Sequence, residues 1–130
     1  MRKILLFLLS LAIPLACSKE EISKEELALQ TAKTYYEQLL NGDVASFVSG
    51  MNVKDSIVPS YREQLETNML MFLGQQQTEH KGISSVTAVK AEKEIDSDVI
   101  YAFLLLCYGD STREQVVIPM VEHDGVWMMK

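Results

Sequence analysis

The sequence of 130 residues is poor in the residue types that carry most metal, nucleotide and hydrolase chemistry. It contains two cysteines, two histidines and three prolines, without a zinc-type His-Glu-x-x-His motif, a paired-cysteine motif or a glycine-rich phosphate loop. None of its serines lies in a Gly-x-Ser-x-Gly turn. These absences exclude the commonest catalytic motifs. We therefore expect no metal, no cofactor and no assigned catalytic residue.

Positive charge is also scarce. The chain has 12 lysines and arginines against 18 aspartates and glutamates, a net charge of −6, with no basic stripe and no cluster of stacking aromatic residues. Because an acidic surface repels phosphate backbones, we expect no nucleic acid partner.

The first 16 residues have the pattern of a secretory signal peptide. Arg2 and Lys3 precede an apolar run over residues 4–13. The apolar stretch is about a dozen residues long, whereas a permanent transmembrane helix needs about 20, so we predict that residues 1–16 are removed. Removal leaves 114 residues, which is enough for one domain. These residues include ten basic and 18 acidic side chains, which gives a net charge of −8.

The segment Pro14-Leu15-Ala16-Cys17 resembles the lipobox of bacterial lipoproteins, in the loose form found in Bacteroidota. The resemblance implies that Cys17 is lipidated and holds the protein to a membrane of the cell envelope, the outer membrane, through palmitate-type acyl chains. The following Ser18-Lys19-Glu20-Glu21 resembles a surface-export signal; alternatively, its charges are merely solvated. The alternatives are that Cys17 is an ordinary cysteine after a cleavage site or that it forms a disulfide with Cys107. We expect Cys107 to be a buried thiol instead.

A short tether, residues 17–22, leads into a domain over residues 23–130. Its first half predicts three helices: the first begins at a capping box, Ser23-Lys24-Glu25-Glu26, and ends at Asn41-Gly42. Asp43 can cap a short second helix, and Pro59 begins a third that runs to about Glu79.

From Ile83 onward the apolar period changes to two, which predicts four antiparallel strands. The first places Thr87, Val89 and Ala91 on one face. The others cover residues 98–108, 114–122 and 126–130, and Asp124-Gly125 predicts a two-residue hairpin turn. The fold class is therefore α+β, with three N-terminal helices packed on a four-stranded antiparallel sheet.

The second strand is apolar on both faces, although helices can cover only one. We therefore predict that the other face is covered by a second copy, as a homodimer, by an envelope protein partner, or by the sheet curling over itself. The candidate interface residues are Ile100, Leu104 and Leu106; in the reverse orientation, Tyr101, Phe103 and Leu105 would face outward.

Two segments resemble the nuclear transport factor 2-like (cone) superfamily: "AKTYYEQLLNGDVASFVSGM" is similar to its opening helices, and "VEHDGVWMMK" to its final hairpin. Together with the lipobox they resemble small bacterial lipoproteins of the domain of unknown function 4878. The resemblance implies a curved sheet wrapped around helices, with a conical cavity between them. It does not imply a reaction.

Four tyrosines are the candidate pocket-lining residues, with ordinary core packing as the alternative: Tyr35, Tyr36, Tyr61 and Tyr101. No Asp–His pair is visible, and His80 and His123 are expected to be solvated residues at the ends of elements. Trp127 is predicted to seal one end of the core.

The sequence favours a non-enzymatic module that binds a protein partner or a hydrophobic small ligand. The alternative is a cone-fold enzyme of the isomerase, cyclase or dehydratase type, which would act on a hydrophobic small molecule through tyrosines and a turn-borne histidine.

Overall fold

The computed structural model describes residues 22–52 and 58–130; the predicted signal peptide, Cys17 and residues 18–21 lie outside these ranges. Three helices precede four strands: α1 (Lys24–Leu40), α2 (Val44–Ser49), α3 (Pro59–His80), β1 (Ile83–Lys93), β2 (Ile100–Tyr108), β3 (Arg113–His123) and β4 (Val126–Met129). The predicted α+β class is confirmed. Over these ranges, no helix is both long and apolar enough to cross a membrane.

The predicted helix ends are present. The Glu26 amide donates to Ser23 Oγ at 3.1 Å at the start of α1, and the Ser46 amide donates to Asp43 Oδ1 at 3.1 Å at the start of α2. Gly42, between the two helices, has a φ of +88°, a conformation that costs glycine little. Local side-chain chemistry thus determines where the first two helices begin and end.

The strands form one antiparallel meander in the order β1-β2-β3-β4. Asp124 and Gly125 both have positive φ, as the favoured two-residue hairpin turn requires. The outer edge of β4 is covered, because the Asn52 amide donates to the Met129 carbonyl and the Met129 amide to the Gly50 carbonyl, each at 2.7 Å. Strand β1 forms the other edge of the sheet.

One face of the sheet, which we call the inner face, packs against α1 and holds the core. The candidate interface residues lie there: Ile100 and Leu106 are 2% exposed and Leu104 is fully buried. Their prediction as interface residues is wrong, because side chains alternate along a strand and these three point toward the helices. The reverse orientation considered from the sequence is the one observed.

The opposite face, the outer face, carries the alternate side chains of β2 and their cross-strand neighbours. Its apolar members are Tyr101, Phe103, Leu105, Cys107, Val117, Pro119, Val121 and Met128. The four members on β2 are partly exposed, so Cys107 is not the buried thiol that was expected. The Lys90 ammonium lies 4.8 Å from the centre of the Phe103 ring and covers part of this face.

Strand β1 departs from simple alternation. The pairing register shifts between Ala88 and Lys90, which leaves Val89 as the extra residue of a β-bulge. Val86, Ala88 and Ala91 therefore face the core, whereas Thr87 and Val89 are exposed. The predicted shared face of Thr87, Val89 and Ala91 is wrong, because an inserted residue reverses the faces after it.

Helix α3 is the longest helix described and has no fully buried residue. Its half-buried residues Met69, Phe72 and Leu73 pack on the edge of the core, while Leu70 and Met71 are 55% and 67% exposed. Helix α1 instead buries four apolar residues. The core thus lies between α1, α2 and the sheet, with α3 as an outer wall.

Candidate functional site

An open cleft of about 390 Å³ lies between the three helices and the end of β4. Most of its lining is apolar: Tyr36, Phe47, Met51, Tyr61, Leu65 and Met129, joined by Asn52 and Lys130. We call it the apolar cleft. Its size lies within the range of about 300–1,000 Å³ that is usual for small-molecule sites. An apolar wall with a few polar groups is also typical of such sites.

Aromatic packing shapes one wall of the apolar cleft. The ring of Tyr36, on α1, meets the ring of Phe47, on α2, edge to face with their centres 5.2 Å apart. Such pairs have a preferred geometry and hold each other in place. Burial raises the pKa of the Tyr36 hydroxyl further above neutral pH, and this hydroxyl can donate a hydrogen bond.

The opposite wall comes from the first turns of α3. Arg62 donates to the Ala45 carbonyl at 3.2 Å and to the Ser49 hydroxyl, and its Nε lies 3.2 Å from a Glu66 carboxylate oxygen. These contacts join α3 to α2 next to Tyr61, which is 48% exposed. The N-terminal end of α3 is therefore held mainly by polar contacts, and Tyr61 and Leu65 remain at the cleft.

Tyr35 has a different role from its neighbour. Its hydroxyl donates to the Trp127 carbonyl at 2.7 Å and joins α1 to β4. A side chain at Gly50 would come within 2.5 Å of the Tyr35 ring, so only glycine fits against that ring. Tyr35 lines a shallow groove with Gly50, Ser46 and their neighbours, apart from the apolar cleft.

A second cleft, of about 410 Å³, lies at the other end of the inner face. Ile100 and Trp127 contribute its apolar part; its charged residues are Lys24, Glu25, Lys93, Asp98 and Glu122. Two lysines and three carboxylates give it a mixed charge. The Trp127 indole is 5% exposed, and its Nε1 has no hydrogen-bond partner among the described residues. The deep burial of Trp127 agrees with its predicted structural role.

A polar cluster that the sequence did not reveal joins the end of α3 to the β2–β3 turn. His80 Nδ1 lies 3.0 Å from an Asp110 carboxylate oxygen, and the His80 ring stacks on Tyr108 with their centres 4.6 Å apart. The Asp110 carboxylate also accepts hydrogen bonds from Thr112, which with the His80 contact lower the pKa of Asp110 to about 2. No Asp–His pair is visible in the sequence, from which His80 was expected to be solvated; in the structure its side chain is only 34% exposed and lies against Asp110.

This cluster has the features of a structural clamp. The Asp110 amide donates to the His80 carbonyl at 3.0 Å, and the Gly109 amide to the Gly82 carbonyl at 2.8 Å. His80 and Asp110 are not among the lining residues of the two clefts or of the groove. His123 is solvated, as expected: its side chain is 67% exposed.

The predicted pocket tyrosines separate into three groups. Tyr36 and Tyr61 line the apolar cleft, Tyr35 lines the shallow groove, and Tyr101 lies on the outer face, where its hydroxyl donates to Glu94. Sequence reasoning missed the rest of the cleft, because Phe47, Leu65 and Met129 are indistinguishable from core residues in their own helices and strand. It also missed His80–Asp110, whose partners are 30 residues apart.

Across the described residues, no group of three or more His, Cys, Asp or Glu side chains could hold a metal ion. No family model and no curated protein matches the sequence. Among solved structures, the chain resembles a Campylobacter jejuni protein described as a candidate nuclear transport factor 2-like transpeptidase. The two superimpose with a TM-score of 0.60 at 12% identity, over 77% of this chain and 94% of that one. At this identity the likeness is one of fold, which this chain shares with that protein.

Proposed function

We propose that the protein is a non-enzymatic envelope lipoprotein whose cone-fold domain binds a small hydrophobic ligand in the apolar cleft. The observation that carries this proposal is the lining of the cleft, which includes no Asp, Glu or His within residues 22–52 and 58–130. General acid–base catalysis needs such a group within hydrogen-bond reach of the reacting atoms. Binding needs apolar surface and a few polar groups, and the cleft offers both.

The position of α3 supports the same function. The wall that carries Tyr61 and Leu65 belongs to the helix without a fully buried residue. Elements with little buried apolar surface open at a lower free energy than the rest of a domain. A ligand that fills the cleft would bury additional apolar surface on α3, at about 25 cal/mol per Å².

Lipidation of Cys17 places this binding domain at a membrane surface. About five residues separate Cys17 from the capping box, which span under about 20 Å when fully extended. Two or three acyl chains make the attachment durable, since each buried methylene contributes about 0.8 kcal/mol. We expect wild-type protein to incorporate labelled palmitate and Cys17→Ala to appear in soluble fractions. A Cys17→Ala protein that still sediments with membranes would contradict the anchor.

Photocrosslinking tests the ligand site directly. The membrane-extracted full chain is irradiated with a medium-chain alkanol that carries a diazirine, and labelled peptides are mapped by mass spectrometry. We expect labels on the peptides that contain Met51, Tyr61 and Leu65. Leu65→Trp should fill the cleft and reduce the labelling, whereas Leu70→Trp, on the exposed side of the same helix, should not. Labels spread evenly over the surface would refute the site.

A cone-fold enzyme is the second candidate, and the His80–Asp110 pair is the observation that favours it. The two functions differ in what happens to the ligand. If hydrophobic molecules that copurify with the protein are recovered unchanged after prolonged incubation, the binding function holds. A new product that disappears in both His80→Gln and Asp110→Asn would instead establish catalysis at the cluster.

A further inference from the structure

The charge of the apolar cleft differs from that of the whole chain. The chain carries a net charge of −6, yet among the described residues that line this cleft the charged one is a lysine, Lys130. The cleft at the other end of the inner face instead combines two lysines with three carboxylates. A ligand with a negative group would therefore find an opposite charge at the apolar cleft.

Lys130 is also available for such a ligand. Lys24, Lys33 and Lys90 form ion pairs with glutamates, whereas Lys130 forms none with the residues in ranges 22–52 and 58–130. Its backbone position is fixed, because the Lys130 amide donates to the Pro119 carbonyl at 2.8 Å. The side chain thus starts from a defined point beside Met129, at the edge of the apolar lining.

We propose that the ligand of the apolar cleft is an amphiphile with one apolar chain and an anionic head group, whose head group pairs with Lys130. This inference rests on the proposed ligand-binding function. The apolar chain of the ligand lies against Phe47, Leu65, Met51 and Met129. The flexible thioethers of the two methionines adapt to different ligand shapes. Tyr61 and Asn52 supply further hydrogen-bonding groups in the lining of the same cleft.

Two matched photoprobes test the head group: an alkyl carboxylate and an alkanol that carry a diazirine on chains of the same length. We expect both to label the cleft peptides, and the carboxylate to do so at lower concentration. Lys130→Gln should weaken labelling by the carboxylate about twofold to fivefold, as expected for an exposed ion pair, and leave the alkanol unchanged. Lys130→Arg should restore carboxylate labelling.

Lys24→Gln is the matched control, since it makes the same charge change at a side chain that is 75% exposed and lines the other cleft. Equal labelling by the two probes, together with no effect of Lys130→Gln, would overturn the anionic head group and leave the apolar site intact. Failure of both probes to label the cleft peptides would overturn the binding function as well.

Discussion

The two faces of the sheet have similar composition along β2 but differ in how deeply they are buried. The inner residues are 0–5% exposed, whereas their outer neighbours Tyr101, Phe103 and Leu105 are each partly exposed. Because α1 covers one face, apolar character alone does not determine burial in this strand. The inner face supplies stability, whereas the outer face leaves apolar surface partly exposed.

The largest expected contrast between the faces comes from placing a lysine on each. Leu104→Lys should prevent folding, because an unpaired buried charge costs several kcal/mol in addition to the lost packing, out of a total stability of about 5–15 kcal/mol. Leu105→Lys, one residue further along, should fold because its ammonium can reach water. Circular dichroism and urea unfolding measure the difference. Equal loss of structure in both variants would contradict the assignment of the faces.

The hairpin of β4 allows a milder comparison. Trp127→Ala, on the inner face, should lower the free energy of unfolding by about 3–5 kcal/mol. Met128→Ala, on the outer face, should cost less, because its side chain is already partly exposed. Urea unfolding is followed by circular dichroism in both variants, because Trp127→Ala removes the sole tryptophan and with it the tryptophan fluorescence. A Trp127→Ala protein of unchanged stability that fails to bind ligand would make Trp127 a ligand contact.

The face assignments also show which parts of this fold follow from sequence. Capping at Ser23 and Asp43 and the Asp124-Gly125 turn depend on neighbouring residues, and their predictions are confirmed. The bulge at Val89 depends on the pairing of β1 with β2, which no local pattern shows. The apolar cleft and the His80–Asp110 pair need residues that are distant in the chain, so sequence reasoning found only Tyr36 and Tyr61 of the cleft.

Association through the outer face is the next largest expected effect. If a second copy covers this face, Leu105→Lys should weaken the dimer by tenfold or more, because each buried aliphatic side chain contributes about 1.5–3 kcal/mol. Sedimentation of the full chain in a density-matched detergent measures the association. Ile95→Lys, at a turn residue that is 85% exposed, is the control. A wild-type monomer at high micromolar concentration would exclude the homodimer.

The smallest contrast concerns two tyrosines of β2 that each donate a hydrogen bond to a glutamate. Tyr108, on the inner face, donates to Glu114 at 2.7 Å, and Tyr101, on the outer face, donates to Glu94. Tyr108→Phe should cost about 0.5–1.5 kcal/mol near neutral pH. Tyr101→Phe should cost less, because water can replace the exposed bond. Equal losses of unfolding free energy would contradict this difference.

Tyr108 and Tyr101 also determine how the free energy of unfolding responds to alkaline pH. Burial, then the hydrogen bond to Glu114, raises the pKa of Tyr108, and mainly the hydrogen bond to Glu94 raises the pKa of Tyr101. Above about pH 10 an unfolded tyrosine loses its proton while the folded one keeps it, so stability is full below that pH and declines above it. Tyr108→Phe should flatten this decline more than Tyr101→Phe, as measured by urea unfolding between about pH 8 and 11. An unchanged slope in Tyr108→Phe would show that its hydroxyl ionises as easily in the folded protein as in water.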